Sequence, residues 1–210
     1  VPFAGVFGAC STMAETLGLG AALCASGAAE HLLAMASSHF CAAERQFRTP
    51  LSYGAVRTPT AQWTVTAAGC CLLQPAGPGV PIAAATFGRV QDYQVRDINN
   101  MGAAMAPAAA STLLHYFRRH PHRAAGIPTA STPGYLGQVG SSLLRELLAA
   151  EGLLVKNHVD CGCILFDAAE QQVKSGGSGP GCCAAVLCGH ILPRLLRRSQ
   201  KRVLFVATGA

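Results

Sequence analysis

The sequence predicts an α/β fold in which helical crossovers connect the strands of a mainly parallel sheet. Apolar runs of strand length alternate with longer segments whose apolar residues recur at helical spacing. Half of the 210 residues are hydrophobic, which is enough for a sizeable core. The segment from Gly88 to Asp97 is the expected boundary between two parts, residues 1–95 and 96–210.

The first part is predicted to begin with a strand, a turn and a helix. The first apolar run ends at Phe7, Gly8 permits a sharp turn, and apolar residues recur from Met13 onward at near-helical spacing. A second apolar run ends at Ser37, and a long polar loop follows it. The expected elements are a strand at 2–8, a helix at 10–25, a strand at 31–37, a loop at 39–60, and strands at 62–74 and 81–92.

The second part is predicted to begin at Asp97-Ile98-Asn99-Asn100, which offers cap residues for a long helix. Pro107 would either kink this helix or mark its true first turn. The expected elements are helices at 99–119, 138–151 and 181–198, strands at 162–167 and 202–207, a degenerate stretch at 123–137, and a glycine loop before the last helix.

The net charge of +6 is concentrated after two predicted helices, at 118–123 and 194–202. Basic residues at helix C-termini complement the helix dipole, and the surplus indicates an acidic partner or membrane headgroups. These clusters lack interleaved aromatic residues, and the sequence has no helix-turn-helix or RNA-binding signature, so we expect no nucleic-acid partner. No apolar run is long enough to span a bilayer, which leaves only a peripheral role at a membrane.

The ten cysteines predict reduced thiols rather than a disulfide or metal framework. Cys161-Gly162-Cys163 and Cys182-Cys183 lack the paired spacing of zinc ribbons. Four further cysteines fall within apolar runs: Cys24, Cys70, Cys71 and Cys188. We therefore expect small core residues in a reducing compartment, and neither a metal nor a cofactor.

Cys10 is the first candidate for chemistry, because it lies where the first strand gives way to a helix. Unpaired N–H groups and the helix dipole at such a position favour thiolate over thiol. The position suits either an attacking sulfur or a small bound anion, although a cysteine that merely packs is common.

A second polar cluster, Ser37-Ser38-His39, follows the next predicted strand. Carboxyl ends of neighbouring parallel strands share one crevice, so this cluster is expected beside Cys10. The two serines are equally suited to capping and to ligand contact. Arg45 or Arg48 could add a bidentate contact, with an ion pair to Glu44 or solvation as the alternative.

The order of several motifs resembles the stage V sporulation protein AD family, a member of the thiolase superfamily. The matching stretches are Gly8-Ala9-Cys10-Ser11-Thr12-Met13-Ala14-Glu15, Ser37-Ser38-His39-Phe40, Glu44-Arg45-Gln46-Phe47-Arg48, Pro59-Thr60-Ala61-Gln62-Trp63-Thr64-Val65-Thr66, residues 99–109, Asp160-Cys161-Gly162, Ser175-Gly176-Gly177-Ser178-Gly179 and Ala207-Thr208-Gly209-Ala210. The resemblance covers nearly the whole chain and is weakest at 120–158.

The resemblance implies a thiolase-like fold of two related βαβαβ halves, with the N-terminal half incomplete in this chain. Because the chain starts at Val1 inside an apparent strand and ends just after another, we expect an internal fragment of a longer protein. The family further implies a role in spore formation: binding dipicolinic acid and moving it, with calcium, into the developing spore. Its partners would be membrane proteins of the same sporulation operon, with a peripheral location on the cytoplasmic face of the forespore inner membrane.

The chain departs from the family pattern in its second half. Gly134-Tyr135-Leu136-Gly137 stands where a Gly-Asp-Leu-Gly motif is expected, and residues 126–133 lack an apolar strand. The glycine loop carries Pro180 where the family generally has cysteine. These departures bear on the site of that half rather than on the fold.

Two functions follow from these residues. An acyltransferase would use Cys10 as its nucleophile, with His158 or His190 as the available histidines, but no complete activating set is present. A dipicolinate-binding protein would use the helix N-terminus and hydroxyls for the carboxylates. The expected ligand-binding residues are Cys10, Ser37, Ser38, His39, Gly177 and Ser178. The chain could act as a homodimer.

Overall fold

The computed structural model describes residues 2–43, 48, 51–121, 136–155 and 157–209. These residues form a mixed α/β arrangement with small sheets. The helices are α1 (Thr12–Ala25), α2 (Met101–Arg119), α3 (Gly137–Ala150), α4 (Cys161–Leu165), α5 (Ala168–Gln171), α6 (Pro180–Val186) and α7 (Leu192–Leu196), with a π-helical turn at Leu187–Ile191 between the last two. The strands are β1 (Leu32–Ser38), β2 (Trp63–Thr64), β3 (Ala67–Leu73) and β4 (Gly177–Ser178), and 3-10 turns lie at Ala9–Ser11, Phe40–Ala42 and Leu51–Tyr53.

Strand direction differs from the prediction of a mainly parallel sheet. β1 and β3 pair antiparallel, from Leu32 opposite Leu73 to Ser38 opposite Ala67. Among the described residues, only the short pair of β2 and β4 is parallel. No helical pattern separates β1 from β3 in the sequence, and parallel strands need a crossover of a dozen or more residues, usually a helix. The connection between β1 and β3 therefore favours antiparallel pairing.

β1 and β3 form a two-stranded antiparallel sheet, which we call the β1–β3 hairpin although residues 39–66 connect its strands. The two faces of this hairpin differ in burial. Ala34 and Ala36 are buried on the inner face, which packs on α1 and α6. Leu33, Met35 and Leu72 are 59%, 49% and 61% exposed on the outer face. Leu33 lies opposite Leu72 in the ladder, so these apolar side chains form one continuous surface.

The second part of the chain is organised around the pair α2 and α3. Gly102 and Gly140 allow close approach, because a Cβ on either would collide with the backbone of the other helix. Leu113 and Leu144 are buried in the same core as Met13 of α1. The core therefore runs continuously from the first helix to the α2–α3 pair.

The predicted helices at 10–25, 99–119, 138–151 and 181–198 and the strand at 31–37 are confirmed within a few residues. The predicted strands at 2–8, 81–92 and 202–207 are wrong, because these segments have no strand partner among the described residues. The segment at 62–74 contains two strands rather than one. Pro107 lies inside α2, beyond its first turn.

The predicted strand at 162–167 is wrong, because residues 161–165 form α4. Asp160 caps this helix, its carboxylate accepting the Cys163 N–H at 3.1 Å. Of the degenerate stretch at 123–137, only the last two residues are described. Over the described ranges, no helix combines the length and apolarity needed to cross a bilayer.

Candidate functional site

The turn before α1 holds Cys10 in a fixed backbone conformation. The Ser11 N–H and hydroxyl both donate to the Gly8 carbonyl, at 2.8 and 2.6 Å. The Thr12 hydroxyl donates to the Ala9 carbonyl at 2.7 Å and accepts the Gly8 N–H at 3.2 Å. Ala9 has a φ of 47°, an unfavourable value for a residue with a Cβ. These bonds hold the strained residue directly before Cys10.

Cys10 lies at the start of α1 as predicted, but its thiol is not activated. It is in the 3-10 turn, two residues before the helix begins. Burial raises the pKa of Cys10 to about 11, although the N–H groups of Gly179 and of Cys10 itself hydrogen bond to the sulfur and oppose this shift. The expectation that thiolate is favoured here is therefore wrong, because desolvation outweighs the helix N-terminus.

The loop before α6 connects Cys10 to Ser38. The Gly179 backbone approaches the Cys10 sulfur and lowers its pKa, and the Cys183 thiol lies 3.7 Å from the Cys10 carbonyl. The Ser38 hydroxyl donates to the Val65 carbonyl at 2.7 Å and accepts the Gly181 N–H at 2.9 Å. Gly181 and Cys183 of this segment therefore contact Ser38 and Cys10, respectively. Ser38 uses its hydroxyl proton and a lone pair within the protein.

Ser37 and His39 do not join this contact. Ser37 lies on the exposed outer face of β1, opposite Ala68, because successive side chains of a strand alternate between faces. His39 is exposed, and its Nδ1 accepts the Cys41 N–H at 3.2 Å, which caps the 3-10 turn at Phe40–Ala42. The structure therefore separates Ser37 from Ser38 and gives His39 a capping contact.

Close packing determines the backbone conformation of the glycine loop. Gly177 and Ser178 are buried in β4, where the Ser178 carbonyl accepts the Val65 N–H at 2.9 Å. Gly179 has a φ of 93°, and a Cβ there would lie 2.9 Å from the Ser38 hydroxyl oxygen. Pro180 occupies the first turn of α6, where a missing N–H costs nothing. The departure at Pro180 is thus compatible with the local fold.

An open pocket of about 330 Å³ lies beside the Cys10 turn. It is lined by Phe7, Gly8, Ala9, Ser11 and Gly209. The Phe7 side chain is 79% exposed. Glu15 reaches back to this turn, since a Cβ on Gly8 would collide with its carboxylate. Its Oε2 is buried and has no hydrogen-bond partner among the described residues.

The remaining sequence candidates are placed away from this turn or outside the described residues. Arg45, Glu44 and Tyr135 lie outside them. The Arg48 Nε donates to the Ala43 carbonyl at 2.9 Å. His190 is in the π-helical turn, 3.0 Å from the Arg194 guanidinium. Burial, with a smaller effect of Arg145, lowers the pKa of His158 to about 4.

Two features of the structure are not predicted by the sequence. The Arg57 guanidinium lies 5.0 Å from the Trp63 ring centroid, and Phe40 stacks on Trp63 at 4.6 Å. The second feature is the approach of the Gly179 backbone to the Cys10 sulfur. The run of glycines predicts a loop at this position but not this contact. Backbone donors carry no signature of their own, so only the fold shows where they point.

The Cys10 turn and the glycine loop are two of the stretches that carry the family resemblance. Comparison with known proteins agrees with that resemblance. The family model described as Stage V sporulation protein AD matches residues 1–210, so the chain belongs to that family. It is 41% identical over 211 residues to Stage V sporulation protein AD of Bacillus subtilis (strain 168), covering 100% of this chain and 62% of that protein. The chain thus spans less than two thirds of the length of this relative.

Proposed function

We propose that this protein acts in sporulation by binding dipicolinic acid and assisting its uptake into the developing spore. Its membership of the stage V sporulation protein AD family supports the sporulation role. The observation that carries the binding role is the hydrogen-bonded Gly8–Ser11 turn, whose residues line an open pocket.

The pocket has the chemistry that dipicolinate requires. The ligand is a flat aromatic ring with carboxylates on both sides of the ring nitrogen, so it needs an apolar surface and polar groups at two edges. Phe7 offers an exposed ring, and Ser11 offers a hydroxyl at the start of α1. The positive end of a fourteen-residue helix favours a carboxylate there.

Glu15 makes the calcium chelate the better ligand than the free dianion. Its carboxylate adjoins Gly8 and Ser11, both of which line the pocket. A carboxylate repels a second carboxylate and attracts a hard cation, whose preferred ligands are oxygens. Calcium carried in with dipicolinate would cancel the ligand's charge and so remove its repulsion by the nearby Glu15 carboxylate.

Calorimetric titration of the intact protein with dipicolinate, with and without calcium, tests this proposal. We expect a 1:1 site of modest affinity that strengthens with calcium, and Glu15→Gln should abolish the calcium dependence. Isophthalate has the same carboxylates without the ring nitrogen, so equal binding would exclude recognition of that nitrogen. The absence of heat or of a saturable signal with either dipicolinate form would refute the binding function.

Variants discriminate between the expected ligand residues. His39→Ala should weaken binding more than Arg197→Ala if the predicted site of Cys10, Ser38 and His39 is used. Ser11→Ala should have the larger effect if the pocket beside Phe7 is used, since the hydroxyl then contacts the ligand. Arg197 lies in the exposed basic segment after α7 and serves as the control.

We also propose a peripheral location on the cytoplasmic face of the forespore inner membrane, with membrane proteins of the same operon as partners. The exposed basic residues of 194–202 support an acidic or membrane-bound contact. Pull-down of the tagged protein from sporulating cells, with and without these residues changed to glutamine, tests this location and its partners.

An acyltransferase is the alternative function, because two N–H groups at the Cys10 sulfur could also hold a thioester oxygen. The raised pKa of Cys10 argues against resting nucleophilicity. Mass spectrometry after incubation with an acyl-coenzyme A separates the two functions. An acyl group on Cys10 that turns over would establish the enzyme, and an unmodified protein would leave binding as the function.

A further inference from the structure

Cys71 and Cys188 form a thiol pair that the dipicolinate site does not use. Their sulfurs lie 3.8 Å apart, although the residues are separated by 117 positions in the chain. Cys71 is on β3, and Cys188 is in the π-helical turn that follows α6. Both are half-buried free thiols, so a small molecule in solvent can reach them. The two sulfurs are already at non-bonded contact distance.

The backbone around the pair holds it in place. The Cys188 thiol also lies 3.6 Å from the Cys70 carbonyl, which keeps it over β3. The helical segment from Pro180 to Leu196 departs from α geometry only at Leu187–Ile191, where the π turn contains Cys188. Single π turns within helices occur frequently at functional sites. Cys70, the neighbour of Cys71, is exposed on the opposite face of the hairpin.

We propose that Cys71 and Cys188 form a reversible disulfide that fixes the C-terminal end of α6 to the β1–β3 hairpin. The bond forms at a sulfur–sulfur distance of about 2.05 Å, so the sulfurs approach by roughly 1.8 Å, within the range of side-chain rotation. The oxidant is a small-molecule disulfide such as oxidised glutathione.

The exchange proceeds through a mixed disulfide. One protein thiol loses its proton, and its thiolate attacks a glutathione sulfur and releases one glutathione thiolate. The second protein thiol, once deprotonated, attacks the first cysteine's sulfur and releases the other glutathione. Two protein thiols lose two protons and two electrons, and one oxidised glutathione becomes two reduced molecules.

Two physical consequences follow. Burial raises the pKa of Cys71 to about 12, with smaller contributions from Cys188 and Cys70, so exchange is slow at neutral pH and accelerates as pH rises. The disulfide closes a long loop, which restricts the unfolded chain. It also restrains α6, whose first turn follows the Gly179 contact to Cys10.

Equilibration with glutathione redox buffers, acid quenching, alkylation and peptide mapping without reductant tests the proposal. We expect the loss of two free thiols and a linked pair of tryptic peptides, 58–89 and 175–194, with a higher Tm for the oxidised protein. Because Cys70 and Cys71 share the first peptide, and Cys182, Cys183 and Cys188 share the second, variants are needed to assign the bond.

The expected variant pattern is specific. Cys71→Ser and Cys188→Ser should each abolish the linked peptides, whereas Cys70→Ser, the matched control on the same strand, should retain them. Cys71→Ala provides a second removal of the sulfur if the serine disturbs folding, which circular dichroism reports. Ten intact thiols in the most oxidising buffer, or linked peptides that survive in Cys71→Ser, would overturn the assignment.

Discussion

The Cys10 thiol shows how burial decides reactivity. Burial raises its pKa by more than two backbone N–H groups lower it, so the net pKa is about 11. The thiolate fraction at pH 7 is therefore about 100-fold smaller than for a thiol with a pKa near 9. A half-buried cysteine at a helix start is thus a packing group with hydrogen-bond donors around it, and not a prepared nucleophile.

We predict that iodoacetamide alkylates Cys10 slowly at pH 7 and that the rate rises about tenfold for each pH unit up to about pH 11. Mass spectrometry of the Cys10 peptide measures the rate, with the exposed Cys41 as the internal reference. Once alkylated, the protein should no longer bind dipicolinate, because a group added at the buried sulfur displaces the turn whose residues line the pocket. Labelling of Cys10 as rapid as that of Cys41 at pH 7 would contradict the burial argument.

Gly179 combines a backbone and a steric requirement in one residue. We predict that Gly179→Ala lowers the free energy of unfolding by about 1–3 kcal/mol, because its φ of 93° is unfavourable for alanine and a Cβ would lie 2.9 Å from the Ser38 hydroxyl oxygen. Gly27→Ala is the matched control, since Gly27 has a φ of 77° but no atom within 4 Å of a Cβ. Urea unfolding curves measure both, and equal losses would show that the Ser38 contact adds nothing.

At the scale of elements, helices were predicted better than strands, for a physical reason. A helix satisfies its own backbone, so the spacing that predicts α2 or α3 contains most of what forms it. A strand needs a partner, and the apolar run at 202–207 has none among the described residues. At 161–165 the cap at Asp160 decided the outcome, since its carboxylate satisfies an N–H of the first turn.

The candidate site was predictable in part for the same reason. The glycine, the cysteine and the following helix pattern marked the Cys10 turn, and the structure places it there. Alternation along β1 could have separated Ser37 from Ser38, because successive residues of a strand face opposite sides, although the more apolar face with Leu33 and Met35 is the exposed one. The donor at Gly179 depends on a contact between distant segments, which no local pattern contains.

The cap of α4 makes stability depend on pH. Burial raises the pKa of Asp160 to about 7, although the N–H groups of Cys163, Gly162 and Leu136 oppose the shift. Between about pH 4 and pH 7 the folded state holds a proton that the unfolded state has released, so the contribution of Asp160 to stability is lost as pH rises. His158 acts in the opposite direction, because its lowered pKa removes stability as pH falls below its ordinary value.

We predict that Asp160→Asn removes the Asp160 contribution to this pH dependence while keeping a capping oxygen. The variant should match the wild type near pH 4 and be more stable near pH 8, by on the order of a few kcal/mol. Urea unfolding of both proteins across this range measures the difference in their free energies of unfolding. His158 is present in both proteins, so its effect cancels in that difference. Asp167→Asn, at the exposed cap of α5, is the control for replacing a capping carboxylate by an amide outside the core.

At the scale of the whole molecule, the outer face of the β1–β3 hairpin is the largest unexplained apolar surface of the described sheets. Leu33 faces Leu72, and Met35 faces the exposed Cys70 in the same ladder. Covering apolar surface of this kind with another surface lowers the free energy of the protein in water. A second copy of the chain, placed face to face on the hairpin, would cover these side chains and form a homodimer.

We predict that alkylation of Cys70 slows as protein concentration rises under reducing conditions, because dimer formation buries that face. The exposed Cys41 lies outside the hairpin strands, so its rate should stay constant and serve as the control. Leu33→Arg should abolish the concentration dependence by placing a charge at the interface, and sedimentation velocity should then report the monomer. A Cys70 rate that is independent of concentration, together with a single monomeric species in the wild type, would contradict the dimer and leave this face for a different partner.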